Sequence, residues 1–149
     1  LHLRYTSAHS RLYRTSERCF FFNDTATTDI YTDRLAYYGM SWGAHLGAIM
    51  LGVEDRPRTG ILLAGGLSGV GRPEVRDTTY VSRVRTPTLM LNGRYDMYFQ
   101  SSIQPMFELL GTPAEDKRLL VYDTDHIPPR AEYIKEIHDW ELERYLDRY

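Results

Sequence analysis

Five residues constrain this chain more than any others. Gly39-Met40-Ser41-Trp42-Gly43 join a β-prone run, Leu35-Ala36-Tyr37-Tyr38-Gly39-Met40, to a small apolar run, Gly43-Ala44-His45-Leu46-Gly47-Ala48-Ile49-Met50-Leu51. The first run reads as a short buried strand, the second as a helix packed tightly on a sheet. A chain that turns from strand to helix this sharply has little room at the bend. Glycines two positions either side of Ser41 remove the side chains that would collide with neighbouring backbone. The serine is then held in a strained conformation, its hydroxyl exposed at a helix N-terminus where the dipole favours developing negative charge.

The residues after this bend keep alternating. Arg58-Thr59-Gly60 leads into a second apolar run, Ile61-Leu62-Leu63-Ala64-Gly65-Gly66, and residues 67–85 read as a connecting loop with one helical turn. Pro87-Thr88-Leu89-Met90-Leu91-Asn92-Gly93 is a third strand, entered through proline and left through Asn-Gly. Ile103, Met106, Phe107 and Leu110 fall at helical spacing, with Gly111 placed as a C-cap. Arg118-Leu119-Leu120-Val121-Tyr122 makes a fourth strand. A last helix opens at Pro128-Pro129 and runs to about Tyr149. Its apolar stripe is Ile134, Ile137, Tyr145 and Leu146, interrupted by Glu141. Strands and helices in alternation predict an α/β fold, a parallel sheet flanked by helices.

Ser41 gains chemical meaning from two residues further along the chain. Asp96 lies just past the third strand and His126 just past the fourth. In that order His126 can take the proton of the Ser41 hydroxyl, while Asp96 fixes the imidazole tautomer and stabilises its charged form. Each residue also has a plainer reading: Asp96 as a turn residue after Asn-Gly, His126 as a loop histidine or a cap before Pro128. Asp123 and Asp125, in the same short loop as His126, remain alternative acids. Gly39 and Gly43 are the glycines of the turn. His45 reads as packing on the helix that Ser41 opens, and His138 as solvated surface.

Other functions are disfavoured by composition. The net charge of −2 and the absence of basic runs argue against nucleic acid as a partner. No apolar stretch approaches a membrane span, and residues 1–4 do not read as a signal peptide. Neither fact fixes the compartment, for which the cytoplasm is the favoured expectation. The lone Cys19 excludes an internal disulfide or a Cys-cluster zinc site, and reads as a free thiol. No H-x-x-x-H or H-E-x-x-H pairing points to a metal, and no cofactor is expected. Residues 1–32 show neither period 2 nor period 3.6, and the stretch 19–32 resembles the translation product of sequencing-adaptor DNA. That segment is set apart from the fold reading, leaving 33–149 as a single partial domain.

Three segments carry a family resemblance: Tyr37-Tyr38-Gly39-Met40-Ser41-Trp42-Gly43, Thr86-Pro87-Thr88-Leu89-Met90-Leu91-Asn92-Gly93-Arg94-Tyr95-Asp96, and His126-Ile127-Pro128-Pro129-Arg130. They resemble the α/β-hydrolase superfamily, nearest to dienelactone hydrolases and prolyl oligopeptidase-like esterases. They also resemble the hydrolase segment at the C-terminus of some bacterial serine/threonine kinase-like proteins, although no kinase motif is visible. The resemblance implies the C-terminal half of the fold and a serine hydrolase that cleaves small ester or acyl substrates through an acyl-enzyme. It makes the backbone N–H of Trp42 one oxyanion donor and places the second on strands preceding Leu35. A truncated fragment with an open sheet edge beside Leu35–Met40, prone to self-association, is therefore expected. Alternatives are a regulatory or interaction domain that keeps the fold, against which the full set of three residues argues, and a prolyl oligopeptidase-type peptidase. The short 67–85 segment leaves little room for a large lid and favours small, accessible substrates.

Overall fold

A computed structural model describes residues 20–23, 35–69 and 76–143. His2, His9, Cys19, Tyr145 and Leu146, and most of the segment 1–32, lie outside the described residues. Among the described residues one five-stranded sheet runs in chain order: β1 (Phe20–Asn23), β2 (Leu35–Met40), β3 (Pro57–Leu63), β4 (Thr88–Gly93) and β5 (Lys117–Tyr122). β2 to β5 are parallel, and β1 is antiparallel to β2. α1 (Trp42–Val53) connects β2 to β3. α2 (Asp77–Tyr80) and a 3-10 turn at Val81–Arg83 precede β4. A π-helical turn at Phe99–Ile103 runs into α3 (Gln104–Leu109) before β5, and α4 (Arg130–Glu141) closes the described chain.

The side-chain alternation along each strand sorts the core into two halves. Tyr37, Leu62 and Met90 point to one face, where Ala44, Ala48 and Leu51 of α1, Val81, and Ile103, Met106 and Leu110 around α3 cover them. Ile61, Leu63, Leu89 and Leu91 point to the other, covered by Trp140 with Tyr133 and Ile137 of α4. Successive crossovers that step the same way across a parallel sheet place their helices on the same face, because the connection has a preferred hand. The second face is then left to α4. With both faces covered, β3 and β4 are almost wholly buried, which is why they read as unbroken apolar runs.

Several expectations shift. β3 begins at Pro57, so Arg58-Thr59-Gly60 belongs to the strand, with proline at its first position. α3 ends at Leu109, and Leu110 turns to an extended conformation (φ −52°, ψ 123°). Gly111 is therefore not a left-handed cap; an added Cβ would sit 2.8 Å from the Ser82 carbonyl carbon, so close backbone approach demands the glycine. In α4 the side packed on the sheet is Trp140, buried, with the partly buried Tyr133 and Ile137, whereas Ile134 is 45% exposed. Trp140 donates from Nε1 to Thr59 Oγ1 at 2.7 Å, a polar anchor that the apolar pattern does not announce.

The edge beside β2, expected to stand open, is paired. Phe20 to Asn23 run opposite Tyr38 to Leu35, so backbone groups that a parallel edge would leave unpartnered meet an antiparallel strand. That strand comes from the segment without periodic pattern. At the opposite edge β5 carries Lys117 and Arg118, charges that blunt edge pairing.

Candidate active site

Ser41 sits between the end of β2 and the start of α1 at φ 53°, ψ −112°. A non-glycine residue there costs on the order of 1–3 kcal/mol and persists only if its surroundings enforce it. They do so at three points. The Ser41 N–H continues the parallel ladder to Leu63 O at 2.8 Å. Tyr37 Oη donates to the buried Gly43 carbonyl at 2.6 Å. That carbonyl lies so close over Gly39 that no Cβ fits between them. Ser41 occupies the N-cap position of α1 but makes no side-chain cap bond. Its hydroxyl turns elsewhere: Oγ lies 3.0 Å from His126 Nε2.

His126 Nδ1 in turn lies 2.6 Å from Asp96 Oδ2. The Asp96 side chain is 2% exposed and that of His126 is 41% exposed, so the acid is sealed while the imidazole faces the opening. The other Asp96 oxygen accepts the Tyr98 N–H at 2.9 Å. With the Nδ1 proton directed to the carboxylate, Nε2 is left to accept from the Ser41 hydroxyl. The two loops carrying Asp96 and His126 are stitched by backbone bonds, Arg94 N–H to Tyr122 O at 2.7 Å and Tyr95 N–H to Thr124 O at 3.1 Å. Gly93 allows this approach, since a Cβ there would strike the Asp125 carbonyl. The structure thus brings Ser41, Asp96 and His126 into one hydrogen-bonded chain at the C-terminal ends of β2, β4 and β5.

The alternative acids stand apart. Asp123 is exposed and pairs with Arg94 at 2.6 Å, and Asp125 is exposed. Trp42 is the first residue of α1, so its N–H belongs to the helix end that lacks intrahelical acceptors. Among the described residues no group of three or more His, Cys, Asp or Glu is placed to hold a metal ion, and no helix is long and apolar enough to cross a membrane. An open cavity of about 490 Å³ lies at the other ends of the strands, lined among others by Leu51, Pro57, Arg85 and Pro87. It touches none of the site residues.

Some contributors were not legible in the sequence. Asn92 looks like half of an Asn-Gly turn, but it is a fully buried strand residue whose Nδ2 donates to Gly65 O at 3.2 Å. Its Oδ1 has no partner among the described residues. Asp77 is buried, and its carboxylate accepts from the N–H groups of Ser68 and Thr78. His45, read as packing, hydrogen-bonds Gly66 across the loop after β3. The only signal for these residues was their polarity inside apolar or glycine-rich segments.

No protein-family model matches the sequence, and no curated protein does. Solved structures do. A cold-adapted esterase from an Arctic intertidal metagenomic library is 25% identical, with a TM-score of 0.61 over 72% of this chain and 47% of its own. The Pyrococcus furiosus esterase Pf2001 is 15% identical, with a TM-score of 0.60 over 72% of this chain and 52% of its own. A Klebsiella pneumoniae structure assigned as a dienelactone hydrolase is 15% identical, with a TM-score of 0.53 over 70% of this chain and 49% of its own. The chain spans about half the length of these structures. Four parallel strands with helices on both faces and this set of neighbours give the chain the α/β-hydrolase fold, in company with esterases and other hydrolases.

Proposed function

We propose that the chain carries the catalytic residues of a serine hydrolase, with Ser41 as nucleophile, His126 as general base and acid, and Asp96 as the group that orients and stabilises the imidazole. The observation that supports this best is the unbroken chain from Ser41 Oγ to His126 Nε2 (3.0 Å) and from His126 Nδ1 to Asp96 Oδ2 (2.6 Å). Ester bonds are favoured because the Arctic and Pyrococcus neighbours are esterases.

In this reading Ser41 Oγ attacks the substrate carbonyl carbon while its proton passes to His126 Nε2. The carbonyl oxygen becomes an oxyanion facing the Trp42 N–H and the positive end of α1. Collapse breaks the carbon–oxygen bond of the leaving alcohol, which departs with the proton from Nε2 and leaves an acyl-Ser41 ester. Water, deprotonated by the same nitrogen, attacks that ester and releases the acid and free Ser41. Asp96 stays ionised throughout.

Hydrolysis of p-nitrophenyl acetate tests this. Ser41→Ala and His126→Ala are expected to fall to background. Asp96→Asn is expected to lower kcat by about 10³–10⁴-fold, because an amide no longer holds the required tautomer. Unchanged turnover in Ser41→Ala contradicts the assignment. A folded wild-type chain without activity points instead to a non-catalytic domain that keeps the fold.

A further inference from the structure

We propose that His45 is a positioning residue whose ring joins the three loops that assemble the site; the proposal rests on the roles given above to Ser41, Asp96 and His126. His45 lies one turn after Ser41 on α1 and is half-buried. Its Nδ1 lies 2.5 Å from the Gly66 carbonyl oxygen, to which the Nδ1–H tautomer donates, and the Gly66 N–H is 3.3 Å from the same nitrogen. Its ring stands edge-on to Trp42 on one side (centroids 5.8 Å apart, 62°) and to Tyr98 on the other (6.5 Å, 89°).

Each partner belongs to a different part of the site. Trp42 carries the backbone N–H assigned to the oxyanion. Tyr98 donates its own N–H to Asp96 Oδ1 and so fixes the carboxylate that orients His126. Gly66 belongs to the segment after β3 that packs against the serine turn, where a Cβ on Gly65 would lie 3.0 Å from Ser41 O.

That segment has no regular structure of its own, and side chains from other elements hold it in place. Asn92 donates to Gly65 O, Ser102 Oγ donates to Leu67 O, and Asp77 accepts from the Ser68 N–H. At Gly66 the restraint is His45, which also touches the serine turn and the acid loop. A space-filling side chain would preserve the packing but not the bond to Gly66 O. A short amide would preserve the donor, since the side-chain nitrogen of asparagine occupies nearly the place of Nδ1. Loss of the donor frees Gly66 and lets the Tyr98 side of the acid loop move. A displacement of about 1 Å at a catalytic group costs on the order of a hundredfold in rate.

The test compares His45→Leu and His45→Asn with the wild-type chain, and uses His138→Asn on the exposed face of α4 as control. Two quantities are read: kcat and KM for p-nitrophenyl acetate, and the NMR resonance of the His126 Nδ1 proton in its bond to Asp96. His45→Leu is expected to lower kcat by about tenfold to a hundredfold with KM within about threefold, and to shift or broaden the resonance. His45→Asn is expected to recover most of kcat and the wild-type resonance, and His138→Asn to change neither. Full kcat in His45→Leu, or an Asn variant no better than Leu, overturns the proposal; if Leu fails to fold, a folded but impaired Asn variant does the same. A wild-type chain that hydrolyses nothing contradicts the functional reading, and the resonance alone then decides. A resonance unmoved in His45→Leu overturns the positioning role, and one moved by Leu but restored by Asn sustains it.

Discussion

At Ser41 the N-cap position and the hydroxyl part company: the residue starts α1, but the oxygen that would normally cap it is directed at His126. The helix start gives up about 1 kcal/mol of capping, and the left-handed φ of 53° adds strain, both for the placement of one hydroxyl. This much was legible in the sequence, because glycines at 39 and 43 around a serine mark the bend and strand ends then fix where Asp96 and His126 fall. Asn92 and His45 were not legible in the same way. Their roles depend on Gly65 and Gly66, partners more than twenty residues away that only the sheet brings near. Gly93 offers a test at this scale. A methyl group there meets the carbonyl of Asp125, so Gly93→Ala is expected to push the His126 loop off Ser41 and lower turnover by more than about a hundredfold. Circular dichroism of the variant should still show helix and strand. Full activity in a folded Gly93→Ala protein contradicts the placement of the two loops.

Among the elements, β2, β4 and β5 were read from sequence to within a residue or two, since short apolar runs bounded by glycine and proline leave little latitude. α4 was harder. Its seam is Tyr133, Ile137 and Trp140, and the polar ends of the tyrosine and tryptophan hide it beside the more apolar Ile134, which faces solvent. Glu141, half-buried at the end of this helix, is destabilising there. Burial raises its pKa above the ordinary carboxylate range, and the nearby His138 opposes this only in part. The group also sits at the negative end of the helix dipole. A raised carboxylate pKa means the folded chain keeps a proton that the unfolded chain has already released. Stability therefore falls as pH rises from the unfolded value through the raised one, and stays lower above it. Glu141→Gln is expected to raise Tm at pH 7 by the equivalent of about half a kcal/mol, given the partial exposure of the group. The gain should vanish below about pH 4. Thermal melts at the two pH values check it, and equal shifts at both contradict the burial argument.

For the molecule as a whole, the sequence predicts the α/β class and the helices on both faces, but not that β2 would have a neighbour. β1 came from a segment without periodic pattern, and a four-residue antiparallel pairing leaves no periodic signal in sequence. If that pairing is what keeps the β2 edge from other chains, deleting residues 1–23 should produce concentration-dependent association in analytical ultracentrifugation. A deleted chain that stays monomeric contradicts a protective role for β1. The site exists only as a whole arrangement, since three residues from three strand ends must meet for any of them to matter. Its most direct test is a fluorophosphonate probe on the purified chain, with the modified peptide identified by mass spectrometry and the fold monitored by circular dichroism. Stoichiometric phosphonylation is expected at Ser41, lost in Ser41→Ala and strongly slowed in His126→Ala. A folded chain that is modified at another residue, or not at all, contradicts Ser41 as the nucleophile.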